Sequence, residues 1–199
     1  MTIALAAILG YLLGSVPFGL VITRVAGLGD IRKVGSGNIG ATNVLRTGRK
    51  DLALATLLLD GGKGAIAVFA AQALGWPPEI AGAAAFLGHC FPVWLRFKGG
   101  KGVATFLGTL LALWVPAGAV ACATWLVAAF LFRFSSLAAL IAAAAAPLVL
   151  FSMGKASFAI AATFMTLLIF IRHQANIKRL IAGEEPKIGA GKKATPEAA

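Results

Sequence analysis

VATFLGTLLALWVPAGAVACATWLVAAFLF, residues Val103 to Phe132, runs for 30 positions without a charged side chain. As one helix it would reach about 45 Å, against a hydrocarbon core of about 30 Å. One perpendicular span cannot use that length, and Pro116-Ala-Gly118 marks a break inside it. Leu137 to Ile171 has the same excess, interrupted by Ser152-Met-Gly-Lys155. Each run therefore reads as two shortish spans.

Three further apolar runs precede them: Ile3 to Val21, about Leu52 to Leu74, and Ile80 to Leu95. The first has its nearest charge, Arg24, on the far side, so it reads as a retained span and not a secretory leader. Gly10 and Gly14, four apart, allow a neighbouring helix close approach. The expected fold is an all-α integral membrane protein with seven transmembrane helices, N-terminus outside (periplasmic) and C-terminus cytoplasmic. A five-span reading keeps the C-terminus inside but puts Arg133-Phe-Ser-Ser136 outside. With seven, every loop rich in Lys and Arg is cytoplasmic and only Lys155 is out. Residues 1–184 form one transmembrane domain, and 185–199, with Lys192, Lys193 and Pro196 and no apolar period, a flexible cytoplasmic tail.

Composition agrees. Of 199 residues, 59% are hydrophobic and the mean hydropathy is +0.89, far from the soluble range. The net charge of +11 sits in loops and tail, with no basic, aromatic-interleaved face to track a nucleic acid. Cys90 and Cys122 lie inside apolar runs, which leaves no disulfide framework or zinc spacing. Asp30, Asp51 and Asp60 lack ligand-like spacing, so neither a metal nor any other cofactor is expected.

Between the first two runs stands Asp30-Ile-Arg-Lys-Val-Gly-Ser-Gly-Asn-Ile-Gly-Ala-Thr-Asn-Val-Leu-Arg46. Gly35, Gly37 and Gly40 permit backbone shapes in which successive N–H groups converge on an anion. Arg32, Lys33 and Arg46 supply charge, while Ser36, Asn38, Thr42 and Asn43 supply neutral donors. That set suits a phosphate better than a carboxylate. The competing reading is a solvated loop, basic only to set topology.

Asp60-Gly-Gly-Lys63-Gly64 puts an ionisable pair on one helix face at membrane depth. It is either a satisfied ion pair joining helices or a cavity wall in which Lys63 adds positive potential. His89, in Gly88-His89-Cys-Phe-Pro92, reads as a packed, hydrogen-bonded histidine. Phe97-Lys98-Gly99-Gly100-Lys101-Gly-Val-Ala-Thr105 opens the next helix, where partial positive charge, N–H groups and two ammonium groups make an anion site. It is not a P-loop. In Arg172-His173-Gln-Ala-Asn176-Ile-Lys-Arg179, His173 and Asn176 share a face and can hold one substrate oxygen. The alternative is a basic helix end snorkelling to lipid headgroups.

No Gly-x-Ser-x-Gly elbow and no histidine–aspartate pair at fixed short spacing is present. The residues offer anion binding and positioning, which suit a reaction between two phosphorylated partners.

The ordered segments Ser36-Gly-Asn-Ile-Gly-Ala-Thr-Asn43, Asp60-x-x-Lys-Gly64, Gly88-His-x-Phe-Pro92, Phe97–Thr105, Arg133-x-Ser-Ser-Leu137 and Arg172-His-x-x-Asn-Ile-x-Arg-Leu180 strongly resemble the bacterial acyl-phosphate:glycerol-3-phosphate acyltransferases, the PlsY family. The resemblance runs from about Gly14 to Glu184. It implies transfer of a fatty acyl group from acyl phosphate to the sn-1 hydroxyl of glycerol 3-phosphate. The products are lysophosphatidic acid and phosphate, and the step begins phospholipid synthesis. It also implies an inner-membrane location, a cytoplasm-facing site, and a donor supplied by a soluble phosphate acyltransferase. Carried over residue by residue, Lys101, Ser136, His173 and Asn176 are the expected catalytic set. Lys33, Ser36, Gly37, Asn38, Thr42, Asn43, Arg46, Lys63, Lys98, Gly99, Gly100 and Lys101 are expected to bind phosphate or substrate. The resemblance favours substrate-assisted proton removal over a His173 base.

An organic-phosphate transporter would share such a basic cavity, but its usual internal repeats are missing. A membrane anchor for soluble lipid-synthesis enzymes would not need so many placed amides and glycines.

Overall fold

The structure, a computed structural model, describes residues 1–189. Among the described residues there is no strand; the chain is α-helical. Helices α1 (Thr2–Gly14) and α2 (Phe18–Val25) are one apolar run broken at Ser15-Val-Pro17. A short helix α3 (Ala41–Leu45) follows the first loop, then the long α4 (Lys50–Ala73) and α5 (Pro78–Cys90).

The 103–132 run breaks where a proline predicts it should. Helix α6 (Val103–Leu113) ends at Trp114, which is extended, and α7 (Val115–Phe132) carries Pro116 in its first turn, where no N–H is needed. The second long run divides into α8 (Ser135–Ser152) and α9 (Ala156–Arg172) around Gly154, which takes a φ of +70°. Helix α10 (Gln174–Ile181) turns away from α9 by 60°.

Four segments are long and apolar enough to cross a membrane: 2–25, 50–73, 115–132 and 135–152. The bent pair α9/α10 makes a fifth. Helices α5 and α6 have only 13 and 11 residues, so by length alone they fall short of a core of about 30 Å.

The packing is small residues inside and large ones outside, as befits a lipid solvent. On α8, Ala138, Ala139, Ala142, Ala143 and Ala146 are buried while Leu148 and Phe151 are exposed. Close approach of α1 and α5 is set by Gly10 and Gly14: a Cβ on either would lie 2.2 or 1.9 Å from the carbonyl oxygen of Ala81 or Ala85. Gly108 meets Gly61 in the same way, bringing α6 against α4.

Glu185 and Ile188, expected to lie in a flexible tail, are instead held in place. Glu185 is hydrogen-bonded to Ser136, Asn176 and Arg179, and the Ile188 N–H donates to the Arg133 carbonyl at 2.6 Å. The correction has a simple cause: a carboxylate beside several cations and hydroxyls binds them. Residues 190–199 of that tail lie outside the described residues.

Gly14→Val should force α1 off α5, because the clash is with backbone and no side chain can swing away. A cost of about 1–3 kcal/mol is expected for such overpacking. A lower melting temperature in detergent would show it, and an unchanged one would remove this contact from the account.

Candidate active site

The first loop is folded by Asn43, which is 2% exposed. Its Nδ2 donates to the carbonyls of Ile31, Val34 and Asn38 at 2.8–3.0 Å, and its Oδ1 accepts from the Ser36 N–H at 3.0 Å. Asn43 is thus the loop's internal brace, and its amide is not offered to a phosphate. Gly35 and Gly37 take φ of +56° and +71°, as a tight anion-binding turn needs, whereas Gly40 is extended at −83°. A Cβ at Gly35 would press on Asn43 Oδ1 and Arg46 Cδ. Arg32 is tied to Asp30 by hydrogen bonds of 2.5–3.1 Å, which hold the Asp30 carboxyl well below the usual carboxylate range. Thr42 Oγ1 lies 3.3 Å from Ser135 Oγ, so the loop reaches the N-terminus of α8.

The Gly99–Gly100 turn also differs from expectation. Its N–H groups donate to the Cys90 and His89 carbonyls at 3.1 and 3.0 Å, so they are not phosphate donors. Its carbonyls accept from Arg172 Nη2 and Nε at 2.8 and 3.0 Å. The turn is clamped from both sides, and its effect is to fix Lys101. Space explains the glycines: a Cβ at Gly99 would lie 2.2 Å from the His89 carbonyl oxygen, and one at Gly100 2.1 Å from His89 Nε2.

Lys101 Nζ donates to Asn176 Oδ1 at 2.5 Å. Asn176 Nδ2 and Ser136 Oγ both donate to Glu185 Oε1 at 2.6 Å, and Arg179 Nε donates to Oε2 at 2.8 Å. His173 Nδ1 faces the Ile169 carbonyl at 2.8 Å, which favours a proton on Nδ1 and leaves Nε2 as an acceptor. Burial lowers the Lys101 pKa to about 8; Glu185 pushes it up, while Arg179, Arg46 and Arg172 push it further down. The Thr42–Ser135 contact sets the first loop beside Ser136 of this cluster, with Arg46 within electrostatic reach of Lys101.

The structure thus gathers Lys101, Ser136, His173 and Asn176, with Arg46 and Thr42 alongside. Ser36, Gly37 and Asn38 form the turn of the first loop. Lys33 and Lys98 are exposed and make no hydrogen bond to the cluster among the described residues. Lys63 is not a cavity wall: its side chain is 1% exposed and bonded to Asp60, His89 and the Val16 carbonyl. Of the two sequence readings of this pair, the satisfied ion pair is the one the structure shows. Glu185 and the clamping role of Arg172 were not anticipated. A lone carboxylate pair in a chain with seven acidic residues against eighteen basic ones was the available signal.

Residues 4–183 match the family model described as "Glycerol-3-phosphate acyltransferase". The chain belongs to that family. It is 59% identical to the glycerol-3-phosphate acyltransferase of Rhodospirillum rubrum, over 98% of this chain and 95% of that one. The namesake from Paramagnetospirillum magneticum is 62% identical, over 94% of both. Among solved structures, PlsY, an integral membrane glycerol 3-phosphate acyltransferase, matches in its glycerol 3-phosphate form. The TM-score is 0.89 at 39% identity, covering 95% of this chain and 96% of that one. Its lysophosphatidic acid form matches with a TM-score of 0.87. The family is one of acyltransferases, and the gathered cluster is this member's candidate active site.

Inorganic phosphate binding should weaken as pH rises through about 8, where Lys101 loses its proton. Glu185→Gln removes the charge that holds that proton on, so calorimetric titration across pH 6–10 should show the loss starting at lower pH in the variant.

Proposed function

We propose that this chain transfers a fatty acyl group from acyl phosphate to the sn-1 hydroxyl of glycerol 3-phosphate. Lysophosphatidic acid and inorganic phosphate are the products, in the first step of phospholipid synthesis. The observation that carries this reading is the Lys101–Asn176 pair, half-buried beside Arg46, Ser136 and His173 on a membrane protein. One reactant is greasy and one is soluble, and both present a phosphate to cations and neutral donors.

In this reading Lys101 and Arg46 hold phosphate charge, with Ser36, Gly37, Asn38 and Thr42 shaping the anion-binding loop. Ser136, His173 and Asn176 seat glycerol 3-phosphate with its hydroxyl against the acyl carbon. The hydroxyl oxygen bonds to that carbon as the carbon–oxygen bond to phosphate breaks, and the departing phosphate takes the hydroxyl proton. His173 Nε2 orients the hydroxyl, its ring fixed by the Ile169 carbonyl and, among the described residues, by no carboxylate hydrogen bond. Catalysis is then orientation plus charge stabilisation, with no covalent enzyme intermediate.

The topology that serves this chemistry has seven spans: α1/α2, α4, α5, α6, α7, α8 and α9. The N-terminus is periplasmic and the C-terminus cytoplasmic. Support comes from the seven apolar helical runs and from the positive-inside rule, which with seven spans puts every loop rich in Lys and Arg on the cytoplasmic side. The protein then sits in the bacterial inner membrane with its site open to the cytoplasm, where a soluble phosphate acyltransferase supplies the donor.

Purified protein in detergent, given acyl phosphate and glycerol 3-phosphate, should release phosphate and lysophosphatidic acid. A transporter would require sealed vesicles and make neither product. Lys101→Ala and Asn176→Ala should each lower kcat by about 10²–10³ while the protein still inserts. A Lys101→Ala enzyme of full activity would remove that lysine from the mechanism. His173→Asn separates the two proton routes. Activity within about tenfold of wild type, with its pH dependence kept, supports substrate assistance; loss of both marks His173 as the base.

A further inference from the structure

Lys63 lies outside the acyltransfer site yet touches the elements that carry its two loops. An ammonium has three N–H groups, and Lys63 Nζ places one on each of three elements. It donates to the Val16 carbonyl at 2.9 Å and to Asp60 Oδ1 at 2.7 Å, and lies 2.9 Å from His89 Nδ1, which accepts the third N–H with the ring proton on Nε2. Val16 stands in the break between α1 and α2, where Pro17 interrupts the helix, and Phe18 sets its ring 5.7 Å from the same nitrogen.

The Val16 and His89 arms each lead to one of the two loops. Helix α2 carries the first loop: a Cβ on Gly19 would lie 1.9 Å from the Ile39 carbonyl oxygen, and Leu20 packs with Ile31, Ile39 and Val44. On the other arm, the His89 ring lies directly under Gly100, and the His89 carbonyl receives the Gly100 N–H. The next residue is Lys101.

The geometry points to Lys63 as a positioning residue that sets the first loop and the Gly99–Lys101 turn at a fixed separation, so that one bound phosphate is met by both. This rests on the acyltransfer reading given above. The Asp60 contact stays within α4, three residues apart, and only neutralises the charge; the bonds to Val16 and His89 are what tie Lys63 to the two loops. The burial of Lys101 follows from the same arrangement, since the turn is held down against His89.

Lys63→Met alone would leave the Asp60 carboxylate buried without its partner, and such a variant is expected to misfold. The double variant Asp60→Leu/Lys63→Met removes both charges and keeps the packing volume, a kind of exchange that folded proteins tolerate. It should insert and melt near wild type, yet raise the KM for glycerol 3-phosphate roughly tenfold with a smaller change in kcat. Its alkaline limb of activity should also move up by about one pH unit, because a loosened turn exposes Lys101 to water. The charged groups facing Lys101, namely Glu185, Arg179, Arg46 and Arg172, are unchanged in that variant. His89→Leu, which fills the space under Gly100 but accepts no hydrogen bond from Lys63, should give the same KM rise and pH shift. His89→Asn, which retains an acceptor near the Nδ1 position, should recover most of the loss. If the double variant does not insert, the two His89 variants decide. Wild-type KM and pH profile in a folded double variant, or in His89→Leu, overturn the inference. An inactive wild-type protein would instead overturn the acyltransfer reading itself.

Discussion

A lysine ammonium carried into an apolar bundle must find acceptors, because its hydration is lost and its charge is not. Among the described residues Lys63 is buried and Lys101 half-buried, and the two are treated differently. Lys63 has an acceptor for each of its three N–H groups, one of them charged, and so has nothing left to offer a ligand. Lys101 has the neutral amide oxygen of Asn176, and the nearest carboxylate, Glu185, is bonded elsewhere. Its positive charge therefore remains available to a phosphate. The same residue type is fully satisfied at one position and left with bonding capacity at the other, and the partners decide which.

The rest of the site follows from the need to hold Lys101 in place. Arg172 takes the two carbonyls of the preceding turn, and the chain leaving α5 takes its two N–H groups. Asn176 is oriented in turn by Glu185, which also collects Ser136 and Arg179. One carboxylate thereby draws together the start of α8, helix α10 and the segment after it. Without that anion, Arg46, Lys101, Arg172 and Arg179 would stand close together with little to offset their repulsion.

Much of this was legible in the sequence, because membrane helices and glycine loops carry strong local signals. Pro116 and the Ser152–Lys155 turn marked the breaks in two runs too long for one span each, and both runs break there. Gly10 and Gly14 announced a close helix contact. What local reading could not provide was direction. Asn43, Gly99 and Gly100 have the right chemistry for an anion, yet their polar groups turn inward to fold the loops that carry the anion site. Glu185 was missed because it lies beyond the last periodic segment, and its partners are brought to it only by the tertiary fold. Seven spans were expected, whereas four helices, or five with the bent α9/α10 pair, are long and apolar enough to cross a membrane; α5 and α6, with 13 and 11 residues, are not.

The proposed chemistry requires segments far apart in sequence to meet on one face of the membrane around one phosphorylated ligand. The direct measurement is labelling with a membrane-impermeant maleimide in a Cys90→Ala/Cys122→Ala background. Single cysteines would be placed at Ser36, Ser135 and Ala175, in right-side-out and inverted vesicles. All three should react from the cytoplasmic side only and should be protected by glycerol 3-phosphate. Labelling of any one from the opposite side, or reaction rates indifferent to glycerol 3-phosphate at all three, would contradict the account.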